Sequence, residues 1–154
     1  MIDIKAKVFK LFDNVNEYAT SLSADIKSSP EYIQSLCITF NAFRDLVYQE
    51  SKDKGFHSSN DPPNIGNYCS NLHGEVSELW EAWRKGKLDQ PCDKADKMKE
   101  YNLEVLSCAQ EELADIVIRA FDTAKSLNVD IAKAIYWKLM FNRTRERRNG
   151  GKLA

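Results

Sequence analysis

The chain is poor in residues that interrupt helices: 154 positions hold only 6 Gly and 4 Pro. Long helices are therefore permitted, and a collagen-like or loop-dominated chain is excluded. Histidine is scarcer still. His57 and His73 cannot supply the two Glu-x-x-His pairs of a di-iron bundle, and with so few His a zinc site would have to draw on cysteine. The four cysteines (Cys37, Cys69, Cys92, Cys108) lie far apart with no C-x-x-C pair, so they read as reduced thiols. No apolar run approaches the roughly 20 residues of a membrane helix. The start, Met1-Ile2-Asp3-Ile4-Lys5, mixes charge into its first turn, which leads us to expect a cytoplasmic protein with no membrane partner. Charge of one sign is also missing, since 22 Lys and Arg face 23 Asp and Glu. A net charge of -1 argues against nucleic acid as a partner, although Arg143 to Lys152 carries five basic residues against one Glu. Without a G-x-x-x-x-G-K-[ST] loop, P-loop chemistry is excluded.

What is present is ordinary globular material, 43% hydrophobic and 29% charged, in a chain long enough for one core. Apolar residues recur at three- and four-residue spacing, which predicts an all-α helical bundle. Ile4, Val8, Leu11, Val15, Ala19 and Leu22 form one stripe, so residues 1–30 are expected to be an amphipathic helical extension preceding a domain over 31–154. Ser29-Pro30 restarts the chain, and Tyr32, Leu36, Phe40, Phe43 and Val47 mark a second helix ending near Lys54-Gly55. Phe56 to Gly66, holding Pro62-Pro63, is expected to be a loop. A third helix is predicted from about Asn67 to Arg84, followed by a polar connection holding Pro91. A fourth is predicted from about Leu103 to Leu127, and a fifth, capped by Asp130, from Ile131 to about Arg148.

The third helix carries Glu75-Val-Ser-Glu78 and the fourth Glu112-Leu-Ala-Asp115. Each pair has i, i+3 spacing, which puts two carboxylates on one helix face. Opposed, the two faces offer an oxygen-only set suited to a hard cation such as magnesium, which keeps positions open for substrate phosphates. Acidic pairs at this spacing also arise on solvated faces in so acidic a chain. Glu75 is distinguished by falling inside its helix's apolar arc. Glu112 and Asp115 share the polar strip of their helix with Arg119 and Asp122, a strip that would equally suit water. On the fifth helix Lys138, Asn142 and Arg145 continue an apolar face as a polar one able to meet phosphate. Arg147 and Arg148 read as partners of the helix dipole. His73 reads as an ordinary helix residue, and Trp80 and Trp83 as core residues or as stacking surfaces for a base.

Taken together, Leu72-His-Gly-Glu-Val-Ser-Glu-Leu-Trp-Glu-Ala-Trp-Arg84, Glu111-Glu-Leu-Ala-Asp-Ile-Val-Ile-Arg-Ala-Phe-Asp122 and Lys138-Leu-Met-Phe-Asn-Arg-Thr-Arg145 resemble the MazG-like nucleotide pyrophosphohydrolases. The resemblance covers roughly Ile33 to Lys152 and includes a glycine-aromatic element at Gly55-Phe56-His57. It implies the bundle of the all-α NTP pyrophosphohydrolases, with the extra N-terminal helix added. It further implies magnesium-dependent hydrolysis of a nucleoside triphosphate to monophosphate and pyrophosphate, with manganese as a substitute and removal of unwanted nucleotides as the purpose. By resemblance, Glu75, Glu78, Glu112 and Asp115 hold metal, and Lys138 and Asn142 hold phosphate. A homodimer or dimer of dimers is expected. For the general base, Glu78 is preferred over Glu75, because a carboxylate not fully engaged by metal is free to accept a proton. Phe56, Trp80 and Trp83 are the candidates for base contact.

Two features depart from the family pattern. Gly74 stands where many members have another glutamate, and the Glu78 to Glu112 gap is long, implying a lysine-rich insertion (Lys94, Lys97, Lys99) that lies either by the substrate or in solvent. Two rival readings belong to other classes. One is a catalytically silent helical module that binds a nucleotide or a protein without metal; the other is a nucleic-acid binder using the tail from Arg143.

Overall fold

The computed structural model describes residues 29–57 and 62–145. Within them run five α-helices: α1 (Pro30–Asp53), α2 (Ile65–Arg84), α3 (Ala95–Glu100), α4 (Cys108–Ser126) and α5 (Ile131–Arg143). The described residues contain no sheet, only an isolated antiparallel bridge between Pro91 and Ser107. None of the five helices is long and apolar enough to cross a membrane. The expected helix over residues 4–22 lies outside the described residues, as does the tail beyond residue 145.

The chain divides into two compact units, Met1–Thr39 and Phe40–Ala154. In the first, the described residues are the opening turns of α1, where Ser29 Oγ accepts the Tyr32 N–H at 3.2 Å and Pro30 takes a position that needs no donor. The second holds the rest of α1 and α2 to α5, packed as a bundle. The end of α1 matches its signal: Gly55 adopts φ +83°, a left-handed conformation open to glycine at little cost.

The largest helix-to-helix contact pairs α2 with α4. Glu75 meets Arg119, while the Glu78 charge acts on Glu112 seven residues earlier, so the two helices run antiparallel. The start of α4 is corrected from near Leu103 to Cys108. Ser107 is its N-cap, in a capping box where Ser107 Oγ accepts the Gln110 N–H and the Gln110 side chain accepts the Ser107 N–H. The residues before the cap are extended because their backbone pairs with the preceding connection: Cys92 N–H donates to Leu106 O, and Cys108 N–H to Gln90 O. The same connection contains α3, one short helix that apolar periodicity does not reveal.

Phe121 of α4 is the best buried large side chain, 4% exposed, with the edges of Phe40 and Phe43 from α1 at centroid distances of 4.8 and 5.9 Å. Asp130 caps α5 by accepting the Lys133 N–H at 3.0 Å and ties that helix to α1 through the Asn41 amide at 2.8 Å. Phe121→Ala is expected to cost about 3–5 kcal/mol in urea unfolding. A loss below about 1 kcal/mol would show that the α1–α4 packing does not rest on this ring.

Candidate metal and phosphate site

The helical spacing of the acidic motifs has the geometric result expected for three of their four members. One carboxylate oxygen each from Glu75 on α2 and from Glu112 and Asp115 on α4 lie within 4.8 Å of one another. Glu78 stays outside this group and is solvent-exposed, one turn further along α2. Its charge nevertheless reaches Glu112.

Glu75 and Glu112 are both buried, Glu112 to 8% exposure. Arg119 braces Glu75, donating from Nε to Oε1 at 2.9 Å. Glu112 has no such support: its Oε2 is fully buried with no hydrogen-bond partner. A buried polar atom without a partner costs free energy comparable to a lost hydrogen bond, and here that atom sits inside a set of oxygen donors. Burial, followed by the charges of Glu111, Glu78 and Asp115, pushes the Glu112 carboxyl up to about 7 against a partial offset from Lys94. Burial, with Glu75 and Glu111 adding to it, also raises Asp115.

The inserted connection is not idle. Lys94 hydrogen-bonds the buried Glu111, which drives the lysine pKa upward, and its charge extends to Glu112 and Asp115. Lys97 and Lys99 take no part in this contact; Lys99 pairs with Asp96 at 3.1 Å on the surface. Sequence reasoning missed the role of Glu111, although its position beside Glu112 was the available signal. The α4 strip is corrected in part. Arg119 keeps its side chain 39% exposed while it holds Glu75, whereas Asp122 does not face water: it lies 2.7 Å from His57 Nε2 with both of those side chains largely covered. That pair, with the His57 ring 4.6 Å from the Tyr48 ring, fastens the residues after α1 onto α4.

The remaining candidates are dispersed. Phe56 lines a cavity that also reaches Asp115 and Arg119. Trp80 and Trp83 stack on each other at 4.7 Å, 59% and 56% exposed, and line neither that cavity nor the one beside His57. Lys138, Asn142 and Arg145 are exposed on or just past α5 and also line neither cavity; Lys138 Nζ sits 5.0 Å above the Phe141 ring. His73 is exposed on α2. No family model, curated protein or solved structure matches the chain.

Folding raises the Glu112 pKa from an ordinary 4.5 to about 7, so the folded chain binds this proton more tightly than the unfolded chain. The resulting stability is fully present below pH 4.5 and is lost as pH rises through 7. In the presence of a chelator, Glu112→Gln is expected to raise the melting temperature at pH 8 by about 5 °C while changing it little at pH 5. An equal effect at both pH values would mean that Glu112 is not the group that titrates.

Proposed function

We propose that the protein is a magnesium-dependent nucleotide pyrophosphohydrolase, converting a nucleoside triphosphate to monophosphate and pyrophosphate at the α2–α4 carboxylates. The observation that carries this reading is the buried, unpartnered Glu112 Oε2 among the oxygens of Glu75 and Asp115. Three carboxylates from two helices, all oxygen, suit a hard divalent cation that keeps room for water and phosphate. When bound, magnesium (or manganese) would supply charge neutralisation for the phosphate oxygens and the leaving group.

The chain's own groups supply the rest. Glu75, Glu112 and Asp115 are the ligands, with Arg119 fixing the Glu75 carboxylate. Glu78 lies outside the three and keeps a free carboxylate, so it is the group assigned to take the proton of the attacking water. Lys94 balances the carboxylates from the connection, next to where polyphosphate charge would arrive. Lys138, Asn142 and Arg145 are assigned to phosphate contact, at a site completed by assembly.

The apolar surface supports a homo-oligomer, a dimer or dimer of dimers. No large side chain among the described residues falls below 2% exposure, while Val76, Trp80 and Trp83 make an exposed stripe on α2, and Leu113 and Val117 stay exposed on α4. Scattered apolar exposure is normal, but stripes of this length beside so small a core among the described residues support the reading that a second copy covers them. Light scattering at micromolar concentration is expected to give at least a dimer, and Trp80→Glu to shift it toward monomer. A wild-type monomer would contradict the assembly.

The test of the activity is pyrophosphate release from a panel of nucleoside triphosphates with and without magnesium. Release is expected only with the metal, and to fall about 100-fold or more in Glu112→Gln. Magnesium should also raise the melting temperature, more at pH 8 than at pH 6, because the ligand must lose its proton to bind. No release from any nucleotide, with an unchanged melting temperature, would favour a metal-free binding module instead.

A further inference from the structure

The connection between α2 and α4 is pinned to the bundle before it offers any charge. Cys92 donates its N–H to Leu106 O at 3.0 Å, Cys108 to Gln90 O at 2.9 Å and Ala109 to Leu88 O at 3.0 Å, so residues 88–92 lie along the approach to α4. Cys92 and Ala95 are both buried, which seats the backbone on either side of Lys94. The lysine side chain between these two anchors behaves differently. It stays 52% exposed while its ammonium donates to Glu111 Oε1, on a side chain only 7% exposed.

Neutralising a buried carboxylate accounts for part of this contact, since a carboxylate withdrawn from water needs a cation. Two features exceed that need. An ammonium carries three N–H donors, and Glu111 is the one hydrogen-bond partner of Lys94 among the described residues, so two donors stay open on a side chain half in solvent. The second feature is place. Glu111 directly precedes the cluster member Glu112, and the Lys94 charge acts on both Glu112 and Asp115. Arg119, the other cation beside the cluster, is bonded to Glu75, one of its three members, whereas Lys94 is bonded to a carboxylate outside it. Lys94 is therefore beside the three oxygens without occupying any of them. A polyphosphate joining a cation at that cluster brings negative oxygens to the same end of α4, and a lysine meets phosphate as a point charge that needs no fixed plane.

We propose that Lys94 is a phosphate-binding residue of the α2–α4 site and that Glu111 is its positioning residue, holding the ammonium beside the cluster with two donors left for the polyphosphate. This rests on the pyrophosphohydrolase reading for the metal and the substrate class, and it gives a function to the connection whose length departs from the family pattern. Two titrations at pH 9 test it. Calorimetry with magnesium alone reads the carboxylates, and calorimetry with inorganic triphosphate in saturating magnesium reads the phosphate contact. Lys94→Met leaves Glu111 as an unpaired charge, so magnesium alone is expected to bind about fivefold tighter, the order of effect one unit charge has on a nearby divalent ion. Triphosphate is expected to bind about tenfold or more weaker, the loss of one charge-assisted hydrogen bond. Lys94→Met combined with Glu111→Leu removes the pair without leaving a buried charge, a replacement that folded proteins commonly tolerate. In that double variant magnesium binding is expected to return close to the wild-type value while triphosphate stays about tenfold weaker. A single variant that loses affinity for both ligands would make the pair structural, and a double variant that regains wild-type triphosphate binding would make Lys94 a distant charge without contact; either result overturns the inference. Pyrophosphate release from nucleoside triphosphates reads the reaction separately. Lys94-dependent triphosphate binding with no release from any nucleotide would overturn the reaction and keep the contact, whereas release with a wild-type KM in the double variant would overturn the contact and keep the reaction. Neither binding nor release would overturn both.

Discussion

The structure turns on the cost of gathering carboxylates where two helices meet. Glu75, Glu111, Glu112 and Asp115 all project into or beside the α2–α4 seam, and ionised groups withdrawn from water are costly unless paired. Two cations share the task. Arg119 answers Glu75 from within α4, and Lys94 answers Glu111 from outside the helix pair. Glu112 is left with an unbonded oxygen and a carboxyl that holds its proton to near neutrality. A packing optimum would not place that carboxylate there, and this is the observation on which the proposed metal site rests.

The elements around the seam follow from that requirement. The connection between α2 and α4 is long because it has a return path to make: its backbone pairs with residues 106–109, its short α3 stands between, and Lys94 is delivered to the acidic end of α4. At the other end, the His57–Asp122 contact anchors the residues leaving α1 and so holds Phe56 near the cavity. Two polar latches therefore flank the carboxylates along α4, one toward each end. Between them, Phe121 sets the spacing of α1 from α4 and leaves the cavity open beside Asp115.

Apolar surface is the second constraint. The described core is small, with Val47, Cys92, Ala95, Phe121, Ala124 and Ala132 as its buried apolar members. Four of these six are Ala or Cys, which contribute less by burial than the aromatic and aliphatic residues left outside. Trp80 and Trp83 illustrate the consequence: they stack on each other in the open, with room on α2 for a covering surface. Their helical spacing admitted a core role, which their exposure among the described residues does not show.

Local rules determined much of this molecule. Pro30, Gly55, Gly86 and Asp130 mark helix ends because their backbone preferences act over a few residues, and the all-α class follows from a periodicity visible along the chain. The i, i+3 spacing likewise placed Glu112 and Asp115 on one face, and the apolar arc of α2 anticipated that Glu75 would be buried. Tertiary structure alone decided what spacing leaves open. It settled that Glu78 stands apart from the other three, that Arg119 pairs with Glu75 and Asp122 turns inward to His57, and that Lys94 folds back while Lys97 and Lys99 do not. It also set the true start of α4, because the backbone of residues 106–108 is claimed by a strand-like pairing with residues 90–92. The physical reason is common to all of these. Helix propensity and capping depend on neighbours within a turn, whereas the partner of a charge depends on which other helix arrives opposite it, and no spacing along one helix encodes that.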